Sequence, residues 1–450
     1  MYIDLFSFEG SGTFINSQGF SFKAPITYFW DTSRIERTQI SSIETHVEDL
    51  NISKILLNSD TPWELIGIST KGAQFVANNV IKTGYKFSVK NGVAKHIFIF
   101  YVQEFFWGDT TGYFTRVDFY LPNVKFPYMK EPKIKGSLNK AVSGSVTKDE
   151  TTYKIELEDV SNSFYGPKEC KDYIDHISTR LSIEPTNGPS DWDSIKDVCE
   201  TILDLLSIAY GDQITWCSAV GFTDTTEKLR ITRHVYFCEQ KTHRKLIRFT
   251  FPEFVIDFIK SHFDKFSNIV PSKRQAFMIL IRGVQYSAKD LYFPAPIILL
   301  SSSIEAFIDK MLPDKPSSFL SKLEREKLQA PFKNWVESNL IKYIPEDDRK
   351  YFMDNLKQKF SQLVQKSLGE RIENLLNYYN IGYDKDVIAE FTKRRNAATH
   401  TDYSYQQGDY ELWCKLAALI ERLILKEMGF QGKFIDWYSK SPEEREFTEI

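Results

Sequence analysis

Several things are scarce in this chain of 450 residues, and each scarcity excludes a class. Only five cysteines occur (Cys170, Cys199, Cys217, Cys238 and Cys414), spread singly and without a Cys-x-x-Cys pair. An odd, scattered set argues against a disulfide framework and against a zinc site, and points to a reducing compartment. Long apolar runs are also missing. The most apolar stretch, His96 to Trp107, is broken by Gln103 and Glu104 and is too short to span a bilayer. The opening residues, MYIDLFSFEG, lack the basic and apolar regions of a signal peptide, so a soluble, cytoplasmic protein with no membrane partner is expected. Net charge is small, −3 from 57 basic and 60 acidic residues, so no global field draws the protein to a polyanion and any such site must be local. A phosphate-binding G-x-x-x-x-G-K-[ST] loop, G-x-G-x-x-G, H-E-x-x-H and G-x-S-x-G are all absent. No cofactor and no metal are therefore expected.

What is present is ample apolar material, 42% of residues, with 15% aromatic, enough to fill sizeable cores. Residues 1–165 read as a β-rich domain, an antiparallel sheet or sandwich. Short aromatic and β-branched segments such as FSFKAPITYF, ELIGIST, YKFSV, HIFIFYVQEFFW, YFTRVDFYL and YKIELEDV are punctuated by Gly, Asn, Asp and Pro. Asn91-Gly92 between two such runs signals a hairpin, and Gly10-Ser11-Gly12 reads as a turn. Residues 166–270 read as an α+β segment packed with the first domain. It holds one helix, DWDSIKDVCETILDLLSIAYG, and two strand-like runs, KLRITRHVYFCEQ and KLIRFTF, joined by a basic turn. From 271 to 440 the pattern is helical, and 441–450 reads as a loose tail. Pro296 suits a helix start, Ser367 and Glu370 have capping-box spacing, and Gly429 is placed to cap the last helix.

Most histidines (His46, His96, His176, His234, His243 and His262) stand alone and read as ordinary surface or hydrogen-bonded residues. His400 differs, because it ends the string KRRNAATH. Three consecutive cations, Lys393, Arg394 and Arg395, come at the end of an expected helix, where they suit its negative dipole end and can hold a phosphate. Asn396 and His400 are four apart and share a face if the helix persists. An imidazole beside a guanidinium and an amide suits general acid–base work on a phosphodiester. A basic helix end with a chance R-x4-H is the plainer reading of the same residues.

The string Arg395-Asn396-x-x-x-His400, between one helix and a long closing helix LWCKLAALIERLILKEMGF, resembles the R-x4-6-H signature of the HEPN ribonuclease superfamily. The segments IILLSSSIEAFIDKM and GERIENLLNYY resemble its Apea-like branch, and the likeness covers Pro271 to Trp437. The β-rich half is similar only in layout to the region that accompanies this domain in prokaryotic defence proteins. The resemblance implies an all-α helical bundle at the C-terminus of an α+β multidomain protein. It also implies a homodimer with two motifs facing each other, and metal-independent endoribonuclease activity by 2′-OH attack, on tRNA or another structured RNA. By the same resemblance the activity serves abortive-infection defence against phage and is released by a phage-derived protein trigger. Carried over by position, His400 is the acid or base, Arg395 the phosphate clamp and Asn396 the orienting amide, with Arg394 as a second register.

Glu305 is the acidic residue best placed to orient a cation, or else a plain salt-bridge partner. Tyr403 and Tyr405 either stack a base or pack the loop. The basic stretch Glu239 to Lys245 is either an RNA or phage-partner contact or a solvated run. The competing readings are a noncatalytic dimeric protein whose β domain binds a ligand or phage protein, and a ligand-binding β-domain with an aromatic cleft of Trp30, Trp63 and Trp107.

Overall fold

The computed structural model describes the chain except residues 1–5, 31–40, 48, 59–60, 91–92, 123–140, 161–176, 234–243, 250, 288–291, 313–318, 357–359, 361–362, 364, 400–402, 440–441 and 448–450. Internal contacts divide it into two units: Met1–Ser207 with Gln213–Gln240 and Phe249–Ser267, and Ile208–Asp212 with Lys241–Arg248 and Asn268–Ile450.

The first unit is built on β1 (Phe6–Asn16), β2 (Ser21–Trp30), β3 (Ser41–Val47), β4 (Trp63–Ser69), β5 (Gln74–Lys90) and β6 (Val93–Gly108). In the order β3-β2-β1-β4-β5-β6 these pair antiparallel, and a further β3–β6 pairing closes them into a barrel rather than an open sheet or sandwich. The length of β6 permits a second role. At about 3.3 Å per residue its 16 residues reach ~50 Å. His96 to Tyr101 pair with β3, whereas Glu104 to Gly108 pair with a different neighbour, β14 (Thr226–Arg233). From there the sheet continues through β13 (Ser218–Thr223), β8 (Arg116–Pro122), β11 (Ile177–Pro185), β10 (Thr151–Asp159) and β9 (Ala141–Lys148). The short β7 (Tyr113–Phe114) and β12 (Ser190–Asp191) pair with each other. The hairpin turn at Asn91 and Gly92 lies outside the described residues, although Lys90 and Val93 on either side are paired.

Aromatic rings fill the barrel. Tyr28 stacks on Phe105 at 3.9 Å and Phe14 on Phe22 at 4.8 Å, all buried. That crowding explains a correction. Gly10, Ser11 and Gly12 are not a turn but lie in mid-β1, paired on both edges. A Cβ on Gly12 would come within 2.4 Å of Leu65 Cδ1, and one on Gly10 within 2.7 Å of the Ile68 carbonyl. The glycines are there for close approach. Trp63 is core and Trp107 packs against it, so neither lines a cleft; the Trp30 side chain lies outside the described residues. Helices α1 (Leu50–Asn58), α2 (Trp192–Tyr210, counted here as far as Ser207) and α3 (Pro252–Ser267) complete the unit, the last seated on β9 where Gly144 admits Ile256. The α3 helix is absent from the sequence reading. Of the lone histidines, His96 meets the Tyr85 hydroxyl at 2.8 Å, His262 meets the Phe258 carbonyl at 2.8 Å, and His46 is exposed. His176, His234 and His243 lie outside the described residues.

The second unit is helical: α4 (Pro271–Ser287), α5 (Ala295–Met311), α6 (Lys322–Asn339), α7 (Glu346–Asp354), α8 (Leu368–Tyr378), α9 (Lys385–Thr399) and α10 (Asp409–Glu427). Helix α5 buries Ile297, Leu300, Ile304, Phe307, Ile308 and Met311, a 3.6-residue repeat, and touches α4, α8, α9 and α10. It lies closest to α4 where Gly283 leaves room for Ser303. Ser367 and Glu370 form the expected capping box, and Gly429 (φ 65°) closes α10 by donating to the Lys426 carbonyl. No described helix is long and apolar enough to cross a membrane.

Two expectations change in this unit. The described residues of KLIRFTF form no strand, and Arg244 is not a solvated turn cation. Arg244 is buried, bidentate to Glu421 of α10 at 2.5 and 2.9 Å, and flanked by Trp413 and Trp437. Burial pulls its guanidinium down, but Glu421 holds it above its ordinary value. The rest of the Glu239–Lys245 stretch up to His243 lies outside the described residues. In place of a wholly loose tail, β16 (Glu443–Glu446) pairs with β15 (Lys433–Asp436), and the Phe447 ring packs on Phe430 and Phe434.

Candidate functional site

The string around Arg395 occupies the end of α9. An α-helix turns 100° per residue, so three consecutive side chains leave it in three directions. Lys393 points to solvent, 77% exposed, within 3.6 Å of Glu390. Arg394 turns inward to α10, its Nε 3.1 Å from Glu390 and 3.2 Å from Asp409, neither contact aligned as a hydrogen bond. Arg395 turns to α5, where its Nη2 donates to Glu305 at 3.1 and 3.4 Å. The expected meeting of Glu305 with a cation is therefore present, and the cation is Arg395. Its Nη1 donates to Asn396 Oδ1 at 3.3 Å, so guanidinium, amide and carboxylate form one chain of contacts.

The helix runs one turn further than the cations. Asn396 to Thr399 form its last turn, and Thr399 Oγ1 bonds back to the Arg395 and Asn396 carbonyls at 3.2 and 3.0 Å. The basic side chains thus spend themselves on carboxylates rather than on the terminal carbonyls. His400 lies outside the described residues, as do Thr401 and Asp402.

The residue the sequence reading missed is Asp409. It is 1% exposed at the first position of α10, following Gly408. Its Oδ2 accepts from the Tyr403 hydroxyl at 2.6 Å and from the Gln406 backbone N–H at 2.9 Å, while Oδ1 faces Arg394. One carboxylate thereby ties the cationic helix end to the loop that follows His400 in the chain. An acid in the first turn of a helix was the available signal. Tyr403 is taken up by this contact, and burial, reinforced by Asp409, raises its phenol well above the ordinary value. Tyr405 is free of it, 62% exposed, with its ring centroid 5.8 Å from that of Phe293.

Chemically, Arg395 is a cation of fixed direction. The Glu305 bond sets its plane while 27% of the side chain stays open to solvent. Arg394, shared by two carboxylates and only 13% exposed, is the less available of the pair. Among the described residues no group of three or more His, Cys, Asp or Glu is arranged to hold a metal ion. The described cysteines, Cys199, Cys217 and Cys414, are free and buried.

No curated protein and no solved structure matches the chain. Residues 299–433, from the second turn of α5 into β15, match the Apea-like HEPN family, and they contain Glu305, the Arg395 string and Asp409. The helical unit of this chain carries an Apea-like HEPN domain.

Proposed function

We propose that the protein is a metal-independent endoribonuclease of the HEPN type. The observation that supports this reading is an oriented, partly open Arg395, held by Glu305 and joined to Asn396, five residues before His400 in the sequence and within the HEPN match. In the proposed reaction the RNA 2′-OH attacks the adjacent phosphorus and the bond to the 5′-oxygen breaks. A cyclic phosphate and a 5′-OH are left. The 2′-OH proton goes to a base and the leaving oxygen takes up a proton from an acid, roles for which His400 is the candidate. Arg395 stabilises the extra negative charge on the phosphate in the transition state, and Asn396 orients the guanidinium. The site is composite in a homodimer, with two such motifs facing each other. We place the activity in abortive-infection defence against phage. A structured cellular RNA such as tRNA is the substrate, and the β-barrel unit is the sensor of a phage-derived trigger.

The test is incubation of wild type and His400→Ala with total tRNA in EDTA, with products resolved on a gel. Cleavage by wild type and a loss of about 10²-fold or more in His400→Ala and in Arg395→Ala are expected. Equal cleavage by either variant would remove that residue from the chemistry. Complete absence of cleavage, with and without phage lysate, would favour the noncatalytic binding protein.

A further inference from the structure

Two loops of the helical unit carry aromatic rings, and one of them is tied to the cationic helix end through Asp409. Before α5, Tyr292 is 94% exposed and Phe293 half-buried; before α10, Tyr405 is 62% exposed. Phe293 and Tyr405 meet across the loops, ring centroids 5.8 Å apart and tilted by 50°. Burying a Tyr or Phe ring is ordinarily favourable, so an exposed Tyr405 with Phe293 half-buried against it, on a loop tied to the candidate site, calls for an occupant.

The pair is anchored at both ends. Tyr405 lies between Tyr403 and Gln406, both bound to Asp409 Oδ2. Phe293 lies directly before Pro294, whose carbonyl receives the first helical N–H groups of α5. Asp409 also faces Arg394, the neighbour of Arg395. A single buried carboxylate therefore fixes the platform and the phosphate-clamp helix relative to each other. A cation and an exposed π-face on elements tied through Asp409 match the phosphate and base of a nucleotide.

We propose that Tyr405 and Phe293 form a stacking platform for an unpaired RNA base beside the phosphate clamp. This rests on the ribonuclease reading above and adds a selection rule to it: the RNA is engaged where a base is splayed out of its helix, in a loop or at an end. Tyr403, locked to Asp409, takes no part in stacking. A π-face accepts any base, so the platform selects for unpaired structure and not for base identity.

The test uses full-length protein in the His400→Ala background, in EDTA, with a fluorescein-labelled adenosine oligonucleotide about a dozen nucleotides long. Tyr405→Ala is expected to weaken binding about tenfold and Tyr405→Phe to leave it unchanged, because stacking needs the ring and not the hydroxyl. The salt dependence of binding should stay the same in Tyr405→Ala, since no phosphate contact is lost, whereas Arg395→Ala should flatten it. A 2-aminopurine oligonucleotide should be quenched by the parent protein and less so by Tyr405→Ala. Unchanged affinity and unchanged quenching in Tyr405→Ala overturn the platform, even where wild type cleaves RNA. A variant that loses its dimer but keeps its RNA affinity assigns the rings to a protein interface and overturns it equally. Tyr405-dependent binding without any cleavage by wild type supports the platform while sinking the nuclease reading, so the two fail separately.

Discussion

Replacing Asp409 tests whether one carboxylate organises the candidate site. Asp409→Ala removes the acceptor for the Tyr403 hydroxyl at 2.6 Å and for the Gln406 N–H at 2.9 Å, and leaves Arg394 to Glu390 alone. Hydrogen bonds to a charged group contribute ~1.5–3 kcal/mol each, giving ~3–6 kcal/mol for the pair. The loop side is half-buried, so water recovers part of this, and we expect a net loss of ~3 kcal/mol. For a unit of this size each kcal/mol moves Tm by ~2–4 °C, so the fall should be ~6–12 °C. Asp409→Asn keeps the shape and one acceptor oxygen but not the charge, and should lose about half as much. Differential scanning fluorimetry reads the stability. An alkaline titration of tyrosine absorbance reads the site directly, because Tyr403 is held up by burial and by Asp409, and its ionisation should move down in Asp409→Asn. RNA cleavage should fall by more than the unfolded fraction explains, since the loop after His400 loses its anchor. A Tm within ~1 °C of wild type together with an unmoved tyrosine titration would refute the reasoning.

Two further outcomes follow from buried charge. Glu421→Leu should cost ~3–5 kcal/mol in urea denaturation, because it strands the buried Arg244 cation. Arg244→Met with Glu421→Leu should recover most of that loss, and a double variant as unstable as the single would show that the pair is not its source. His262 is buried and its pKa lies below the ordinary 6.5, so the fold favours its neutral form. Stability from this residue is then complete above pH 6.5 and is lost as pH falls through the depressed folded value. Tm measured between about pH 5 and pH 7.5 should decline less steeply on the acid side in His262→Asn, and identical slopes would contradict the assignment.

Much of the helical unit was legible because its signals are local. The apolar repeat of α5 and α10, the Ser367–Glu370 box and Gly429 all act within one or two turns. The β-rich character of the first unit was legible for the same reason. Its closure was not: β3 meets β6 across about fifty residues, and nothing in either strand alone announces the partner. Gly10 and Gly12 were misread because glycine signals a turn in sequence, whereas in a crowded barrel it makes room for Leu65 and Phe75. Helix α3 was missed after KLIRFTF, whose β-branched and aromatic residues imply a strand that its described residues do not form.

At the site, the sequence presents charges and the fold decides which remain available. KRRNAATH reads as three consecutive cations at a helix end, together able to hold a phosphate. In the helix the three cations part company, and two of them meet acids from distant segments, Asp409 on α10 and Glu305 on α5. Asp409 was invisible as a partner because it lies fifteen residues beyond Arg394 and looks, in sequence, like an ordinary helix-start acid. Its burial is what distinguishes it. A solvated acid at that position would contribute about 0.3–1 kcal/mol through the helix dipole. A buried one must be satisfied from every side, and Tyr403, Gln406 and Arg394 are the groups that satisfy it. The same requirement leaves Arg395, which faces one carboxylate where Arg394 faces two, as the arginine with more of its guanidinium open to a substrate, which is the physical reason to prefer it over Arg394 as the phosphate clamp.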